Sequence, residues 1–178
     1  ISTMFGELPF LERFAAVRAA GFDAVEMQEP YDFPAEQVKA AIDATGLELA
    51  LTNVPGGNKE AGDTGLAALP GRERDFAVTM ETALAYAAVT GCPRLHVMSG
   101  NLPAGSTIID CEEILVSNLK MCARPAAAQG VTLLIEPINT RDMPGYFLNH
   151  TDAAIEIIEA IGKPNLKLQF DIYHRQIM

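Results

Sequence analysis

Two carboxylates follow short apolar segments at places where catalytic residues commonly lie. Glu136 comes directly after the apolar run 133–135 in LLIEPINTRDMPGYFLN (133–149), and Asp171 follows the segment 166–170 in LKLQFDIYH. In α/β folds with parallel strands, side chains at the carboxyl ends of the strands line the active site, whereas the apolar residues before them fill the core. We therefore expect the two carboxylates to share one site, with Glu136 as the first candidate for catalysis.

These acidic residues also have purely structural interpretations. Glu136 could accept hydrogen bonds from backbone N–H groups of its own loop, and Asp171 could be the N-cap of a following helix, a position that favours Asp. His174 lies three residues after Asp171. It could present its imidazole to a substrate, or it could simply be solvated at the start of that helix.

Two further polar residues belong to strand-like segments. His96 lies within RLHVMS (94–99), where the alternation of side chains allows it to contact a substrate or to be a hydrogen-bonded core histidine. Asn53 ends LELALTN (47–53) and could donate to a substrate oxygen or form a turn. Both remain candidates for substrate binding.

The segments that would position these residues alternate between helix and strand. Helical spacing, with glycine as a frequent stop, predicts helices at 8–20, 34–45, 72–91, 110–129 and 151–162. Strand-like segments lie between them at 22–28, 47–53, 94–99, 131–137 and 166–171. This alternation predicts right-handed βαβ crossovers, and therefore a parallel sheet in an α/β fold.

Two architectures with such a sheet compete. A doubly wound fold commonly carries a phosphate-binding turn of the type GxGxxG or GxxxxGK[ST], and neither is complete in this sequence. A (β/α)8 TIM barrel typically has about 250 residues. The chain begins with a loop before a helix and stops just after a strand. We therefore predict a single, incomplete TIM barrel domain over 1–178 with strands 2 to 6 present, lacking its first strand and its last two.

Composition and charge disfavour several classes of partner. The net charge is -10 and 49% of the residues are hydrophobic, which is enough for a sizeable core. Because nucleic acid and anionic membrane surfaces reward basic patches, we expect a small-molecule substrate, with no nucleic-acid and no membrane partner. The three cysteines form no CxxC pair, which disfavours a disulfide framework or a structural zinc site. A cytoplasmic location is the default expectation, and a homo-oligomer is compatible with the sequence.

Separated motifs resemble those of hydroxypyruvate isomerases, within the xylose-isomerase-like TIM barrel superfamily. They are SxMFGExPFLERFxxxxxxGFxxVE (2–26), PYDF (30–33), AGDTGLAALPGRE (61–73), and the two segments that contain Glu136 and Asp171. The last two segments are the most specific. The resemblance covers essentially the whole chain.

This resemblance implies an intramolecular oxidoreductase, an isomerase of hydroxypyruvate and tartronate semialdehyde (2-hydroxy-3-oxopropanoate). A proton would move between adjacent carbons through an enediolate, with Glu136 as the general base. The resemblance also implies that Glu136 and Asp171 bind a divalent metal ion, Mg or Mn, which would polarise the substrate oxygens. It places Glu26 near the site, although a structural hydrogen bond is an equal alternative for that residue.

The family pattern adds a Gln or His and a second catalytic Glu from the last strands of the barrel. Because this chain ends before both, we expect the 178 residues alone to lack isomerase activity. The alternatives are a 2-oxotetronate isomerase or a ketose 3-epimerase of the same superfamily, or a non-catalytic fragment with open sheet edges.

A hydroxy or keto acid substrate needs a cation or a donor group for its carboxylate. The candidates are Lys59, Arg72 and Arg141, which lie in or beside loops at the predicted carboxyl ends of strands. Most loop cations are solvated, so this role is open for each. The loop 54–71 is longer than an ordinary connection and contains several glycines, and we expect it to be a lid.

Overall fold

The parallel sheet that the alternating pattern predicts is present in a computed structural model that describes all 178 residues. Five strands pair side by side in chain order, and every neighbouring pair is parallel. The strands are β1 (Ala24–Met27), β2 (Glu48–Asn53), β3 (Arg94–His96), β4 (Thr132–Ile135) and β5 (Leu166–Leu168).

Helices follow or precede each strand. They are α1 (Arg13–Ala19), α2 (Ala35–Thr45), α3 (Glu73–Thr90), α4 (Ile108–Ala128), α5 (Thr151–Ile161) and α6 (Ile172–Ile177). Glycines in the left-handed conformation end α2, α3 and α5, as the sequence predicts. The capping box of Thr107 and Asp110 starts α4 two residues before the predicted position.

Strand order identifies the architecture. A doubly wound sheet reverses its strand order at a switch point, whereas this sheet runs β1-β2-β3-β4-β5 without reversal. Such an order is that of a sector of a (β/α)8 barrel, so the predicted partial TIM barrel is confirmed. The carboxyl ends of all five strands therefore meet at one edge of the sheet. No helix combines the length and apolarity needed to cross a membrane.

The hydrophobic core lies between the sheet and the helices. Fully buried residues from both layers build it, among them Phe14 of α1, Val38 of α2, Leu133 of β4 and Leu166 of β5. This burial of apolar area is the dominant favourable contribution to folding. It also gives the strand ends a rigid support.

Strand β3 is shorter than the predicted segment 94–99. Beyond Val97, whose N–H still reaches the β4 carbonyl of Leu134, the chain leaves the sheet. Ser99 then forms an antiparallel bridge with Gly65 of the loop 54–71. The predicted strand ends early because its last residues pair with this loop instead of the sheet.

Candidate active site

A cavity of about 660 Å³ opens at the carboxyl ends of the strands. Six of the eight predicted site residues line it, in the chain order of the strands: Glu26, Asn53, His96, Glu136, Asp171 and His174. Sequence positions up to 148 residues apart thus meet in one place, because parallel strands bring their carboxyl ends to the same edge.

Glu136 follows β4 and lies at the buried floor of the cavity. Only 5% of its surface is exposed. Burial, and then the neighbouring charge of Asp171, raise the pKa of its carboxyl group to about 7. The side chain of Gln169 donates from Nε2 to Glu136 Oε1 at 3.1 Å, which partly offsets that rise. A carboxyl group whose pKa lies near neutrality can both take up and release a proton.

His96 ends β3 beside this carboxyl group, with its Nε2 atom 3.7 Å from Glu136 Oε2. Burial, and to a smaller extent the neighbouring His174, lower the pKa of His96 to about 4. The imidazole is therefore neutral at pH 7, and the contact is not an ion pair. Its Nδ1 atom lies 3.3 Å from Oδ1 of Asn53, while Nε2 is buried without a hydrogen-bond partner. This unpaired nitrogen is available to a ligand.

Asp171 serves in the structure as the N-cap of α6. Its Oδ1 atom accepts from the N–H of Tyr173 at 2.7 Å, so the structural interpretation of this residue is realised. Its carboxylate also belongs to a group with Glu136 and His174, in which one possible ligand atom from each lies within 4.8 Å of the others. A carboxylate has several acceptor positions, so capping leaves oxygen available for a cation.

Glu26 and Asn53 come to the cavity from β1 and β2. Glu26 is in β1, one residue before its end, and its backbone carbonyl accepts from the N-terminal amine at 3.1 Å. Asn53 ends β2, and its backbone carbonyl accepts from the hydroxyl of Tyr31. Their side chains remain on the cavity wall.

The predicted cations are placed differently. Arg72 lines a separate cavity and bonds to Asp63, at 3.0 Å, and to Asp75. Arg141 is exposed and does not line the main cavity. Lys59 is the single Lys or Arg on its wall, and it forms an ion pair with Glu29. Of the three candidates, the structure brings only Lys59 to the cavity.

Three residues that the sequence reasoning missed complete the wall or its support: Gln169, Asn139 and Asp142. The sequence predicts Gln169 within the strand segment 166–171, whereas the structure places it just beyond the end of β5. The signal for Asn139 is the pattern Asn-x-x-Asp, in which an Asn side chain folds back on the following backbone. That pattern is local, so it does not indicate the contact of Asn139 with His174, 35 positions away.

Comparison with known proteins places this geometry in a family. The family model for the xylose isomerase-like TIM barrel matches residues 14–178. The whole chain is 53% identical to the 2-oxo-tetronate isomerase of Cupriavidus necator, covering 68% of it. It is 39% identical over 178 residues to the hydroxypyruvate isomerase of Escherichia coli (strain K12), covering 69% of that protein.

A solved structure has nearly the same fold as this chain. The crystal structure described as AP endonuclease, family 2, from Brucella melitensis has a TM-score of 0.96 and 43% identity to this chain. The match covers 99% of this chain and 68% of that one. The chain thus spans about two thirds of the length of the relatives it matches.

Proposed function

The chain belongs to the xylose isomerase-like TIM barrel family, and from this premise we propose that it isomerises a short hydroxy-keto acid. Its curated relatives are named as isomerases. With hydroxypyruvate, a proton leaves the hydroxyl-bearing carbon, an enediolate forms, and a proton returns to the adjacent carbon, while the hydroxyl proton passes from one oxygen to the other. The carbonyl group moves to the neighbouring position, and no atom is gained or lost.

The single observation that carries this proposal is the environment of Glu136. Proton transfer at carbon needs a base whose pKa lies near the working pH and which is held over the substrate. Glu136 is buried at the floor of the cavity, its pKa is raised to about 7, and Gln169 fixes the orientation of its carboxyl group. Glu136 therefore takes the proton from one carbon and returns it to the next.

The imidazoles beside this base supply groups for the substrate oxygens. His96 and His174 both line the cavity, and the neutral imidazole of His96 has one donor and one acceptor nitrogen. Asn53 lies next to His96 and orients it. Glu26 completes the same wall at the end of β1. The donor groups of the two imidazoles are preorganised, and such donors stabilise the negative oxygen of an enediolate.

Lys59 is the proposed anchor for the substrate carboxylate. Six carboxyl groups line the cavity, so an anionic substrate needs a cation that compensates their charge. The six are Glu26, Glu29, Asp63, Glu136, Asp142 and Asp171. The ammonium group of Lys59 is held by Glu29, whose other oxygen accepts from the N–H of Gly56 at 3.1 Å. An ammonium group has three donors, so this pairing leaves donors for a substrate. The roles predicted for Arg72 and Arg141 stay untested.

The donor set also fits a divalent cation. Carboxylate oxygens of Glu136 and Asp171 are the ligands that Mg²⁺ and Mn²⁺ prefer. The Oε1 atom of Gln169 is buried without a hydrogen-bond partner, and this residue also lines the cavity. We propose Glu136 and Asp171 as the ligands. A cation bound there would act as a Lewis acid on the substrate oxygens.

Two substrates fit this chemistry. Hydroxypyruvate is the substrate that the motifs predict, and 2-oxotetronate is the second candidate because the 53% identical relative is named for it. Ratios of kcat/KM for the two acids, with a neutral ketohexose as the third substrate, separate them. In a form of the protein that includes the further catalytic residues of the family pattern, we expect turnover of at least one acid and none of the ketohexose. Epimerisation of the ketohexose without turnover of either acid would overturn the proposal.

A further inference from the structure

The side-chain amide of Asn139 has one defined orientation. Its Oδ1 atom accepts from the backbone N–H groups of Arg141, at 3.1 Å, and Asp142, at 2.9 Å. An amide oxygen accepts and an amide nitrogen donates, so a flipped amide would place its NH₂ group against these two donors. The residue is completely buried, and water cannot compensate for such a mismatch. The Nδ2 group therefore points to the other side.

On that side lie two acceptors. Nδ2 is 2.8 Å from Nδ1 of His174 and 3.1 Å from Oδ2 of Asp142. The hydroxyl of Tyr173 donates to the same Oδ2 atom at 2.6 Å, and with Asn139 it holds the pKa of Asp142 below its usual range. Asp142 is thus an ionised acceptor, which again requires Nδ2 to be the donor.

A second donor faces the same ring nitrogen of His174. The backbone N–H of Asn139 points at Nδ1 from 3.5 Å. A nitrogen that faces only N–H groups must offer its lone pair. In a neutral imidazole, the proton is then on the other nitrogen, Nε2. The backbone N–H thus favours the same tautomer as the side-chain amide, but from a longer distance, 3.5 Å compared with 2.8 Å.

We propose that Asn139 is a positioning residue that keeps His174 in the Nε2–H tautomer, so that His174 donates to a substrate oxygen and does not ligate a metal ion. Nδ1 is occupied by Asn139, and Nε2 is the nitrogen left for a ligand. A nitrogen that bears a proton has no lone pair for a cation. His174 therefore leaves the metal to Glu136 and Asp171, although it lies close to both. The donor role rests on the proposed isomerase function, whereas the tautomer does not.

NMR of ¹⁵N-histidine-labelled protein tests the tautomer without any turnover. Long-range ¹H–¹⁵N correlations distinguish a protonated ring nitrogen from an unprotonated one. The chain has three histidines, so His96→Gln and His150→Gln assign the His174 signals by elimination. We expect Nε2 of His174 to carry the proton at neutral pH, before and after addition of Mg²⁺. A proton on Nδ1, or loss of the Nε2 proton on binding Mg²⁺, would overturn the proposal.

Asn139→Asp is the informative variant. It keeps an oxygen for the backbone N–H groups of Arg141 and Asp142 but replaces the donor Nδ2 with an acceptor. We expect the proton of His174 to move to Nδ1. Asn165→Asp is the matched control, because the Asn165 side chain donates to the Ala123 and Val131 carbonyls and does not contact His174. It should leave the His174 tautomer unchanged.

Kinetics link the tautomer to the reaction. Loss of one donor to a developing oxyanion typically lowers kcat by about 100- to 1000-fold, and we expect this effect in Asn139→Asp with little change in KM. A shifted tautomer with an unchanged kcat would refute the positioning role. These kinetics use a form of the protein that includes the further catalytic residues of the family pattern. The Nε2–H tautomer in that form, without turnover of either acid, would instead refute the proposed function. If Asn139→Asp does not fold, the wild-type spectra alone still decide the tautomer.

Discussion

At the scale of single residues, the protonation of Glu136 links the site to stability. The pKa of its carboxyl group is about 7 in the folded protein, compared with 4.5 for an unperturbed glutamate. The group is therefore mostly neutral below pH 7 in the folded protein. A raised carboxyl pKa gives stability that is present below pH 4.5 and is lost as the pH rises through 7. The pKa is raised because burial penalises the charged carboxylate. The same burial that prepares Glu136 as a base therefore lowers the stability of the fold once this group ionises.

The stability of Glu136→Gln, relative to that of the wild type, should therefore increase with pH. In chelator-treated protein, we expect the stability of Glu136→Gln relative to the wild type to increase between pH 5 and pH 8, because Gln has no charge to bury. Urea unfolding at several pH values measures the difference. Glu159→Gln, on the exposed face of α5, is the control and should show no such trend. A relative stability that falls with pH would contradict the assigned pKa.

Lys59 gives a prediction for substrate affinity. Lys59→Met should raise KM for an acid substrate by up to roughly 5-fold, since an exposed charged contact is worth up to about 1 kcal/mol. The value of kcat should change little, because the carboxylate is bound equally in the ground and transition states. Steady-state kinetics test this, with Lys39→Met on α2 as the control. An unchanged KM would remove Lys59 as the anchor.

The sequence predicts the residues of the site that follow strands but not those that act through distant partners. Glu136 and Asp171 each follow an apolar run, and this local pattern suffices to place them at the strand ends. Asn139 and His174 are 35 positions apart, and no local pattern pairs them. The burial that shifts the pKa of Glu136 is likewise a property of the assembled barrel.

At the scale of elements, Gly65 joins the loop 54–71 to the chain beyond β3. Its φ is +134°, and a Cβ atom there would lie 2.6 Å from the carbonyl oxygen of Met98 and 2.7 Å from the N–H nitrogen of Gly100. Both neighbours are backbone atoms, which cannot move without breaking the bridge between Gly65 and Ser99. The loop can approach the site wall only because this position lacks a side chain.

A pair of glycine variants tests this close approach. Gly62 also has a positive φ, of +85°, but a Cβ atom there meets no atom within 4 Å. Gly62→Ala should cost about 1 to 2 kcal/mol, from backbone strain alone. Gly65→Ala should cost at least ~2 kcal/mol more, because overpacking is added to strain. Chemical denaturation of both variants measures the difference, and equal costs would show that the backbone contact is unimportant.

The elements themselves were predictable to within a few residues where glycine or a cap marks an end. The positions of Gly46 and Gly91 at the ends of α2 and α3 match the predicted stops. The predicted carboxyl end of β3 was wrong by three residues. Val97 to Ser99 have strand character but bond partly to the loop 54–71. Such a choice between two partners depends on tertiary structure, which periodicity does not contain.

At the scale of the whole molecule, the partial barrel brings its acidic side chains to one edge, and this arrangement favours a cation. We expect Mn²⁺ to raise the thermal midpoint, since a ligand at 100 times its Kd stabilises the folded state by about 2.7 kcal/mol. Asp171→Asn should reduce the shift, while it keeps the N-cap because Asn caps as well as Asp. Thermal scans with and without Mn²⁺ measure this. An equal shift in the variant would exclude Asp171 as a ligand.

The barrel order of the sheet was predictable from the alternation of helices and strands together with the family motifs. Alternation alone allowed a doubly wound fold, and the missing phosphate-binding turn was the physical reason to reject it. The uniform strand order β1-β2-β3-β4-β5 confirms that choice. The identity of the substrate was not predictable in this way, because two acids that differ by one carbon need the same base and the same donors.

Exchange of substrate hydrogen with solvent tests the central claim, proton transfer at carbon by Glu136, most directly. Protein is incubated in D₂O with hydroxypyruvate or 2-oxotetronate, and ¹H NMR follows deuterium at the reacting carbons. In a form of the protein that includes the further catalytic residues of the family pattern, the parent protein and its Glu159→Gln variant should form the isomer with deuterium incorporated. Glu136→Gln in that form should lose at least 100-fold in rate, the usual range for a general base. Undiminished exchange in Glu136→Gln would contradict the account.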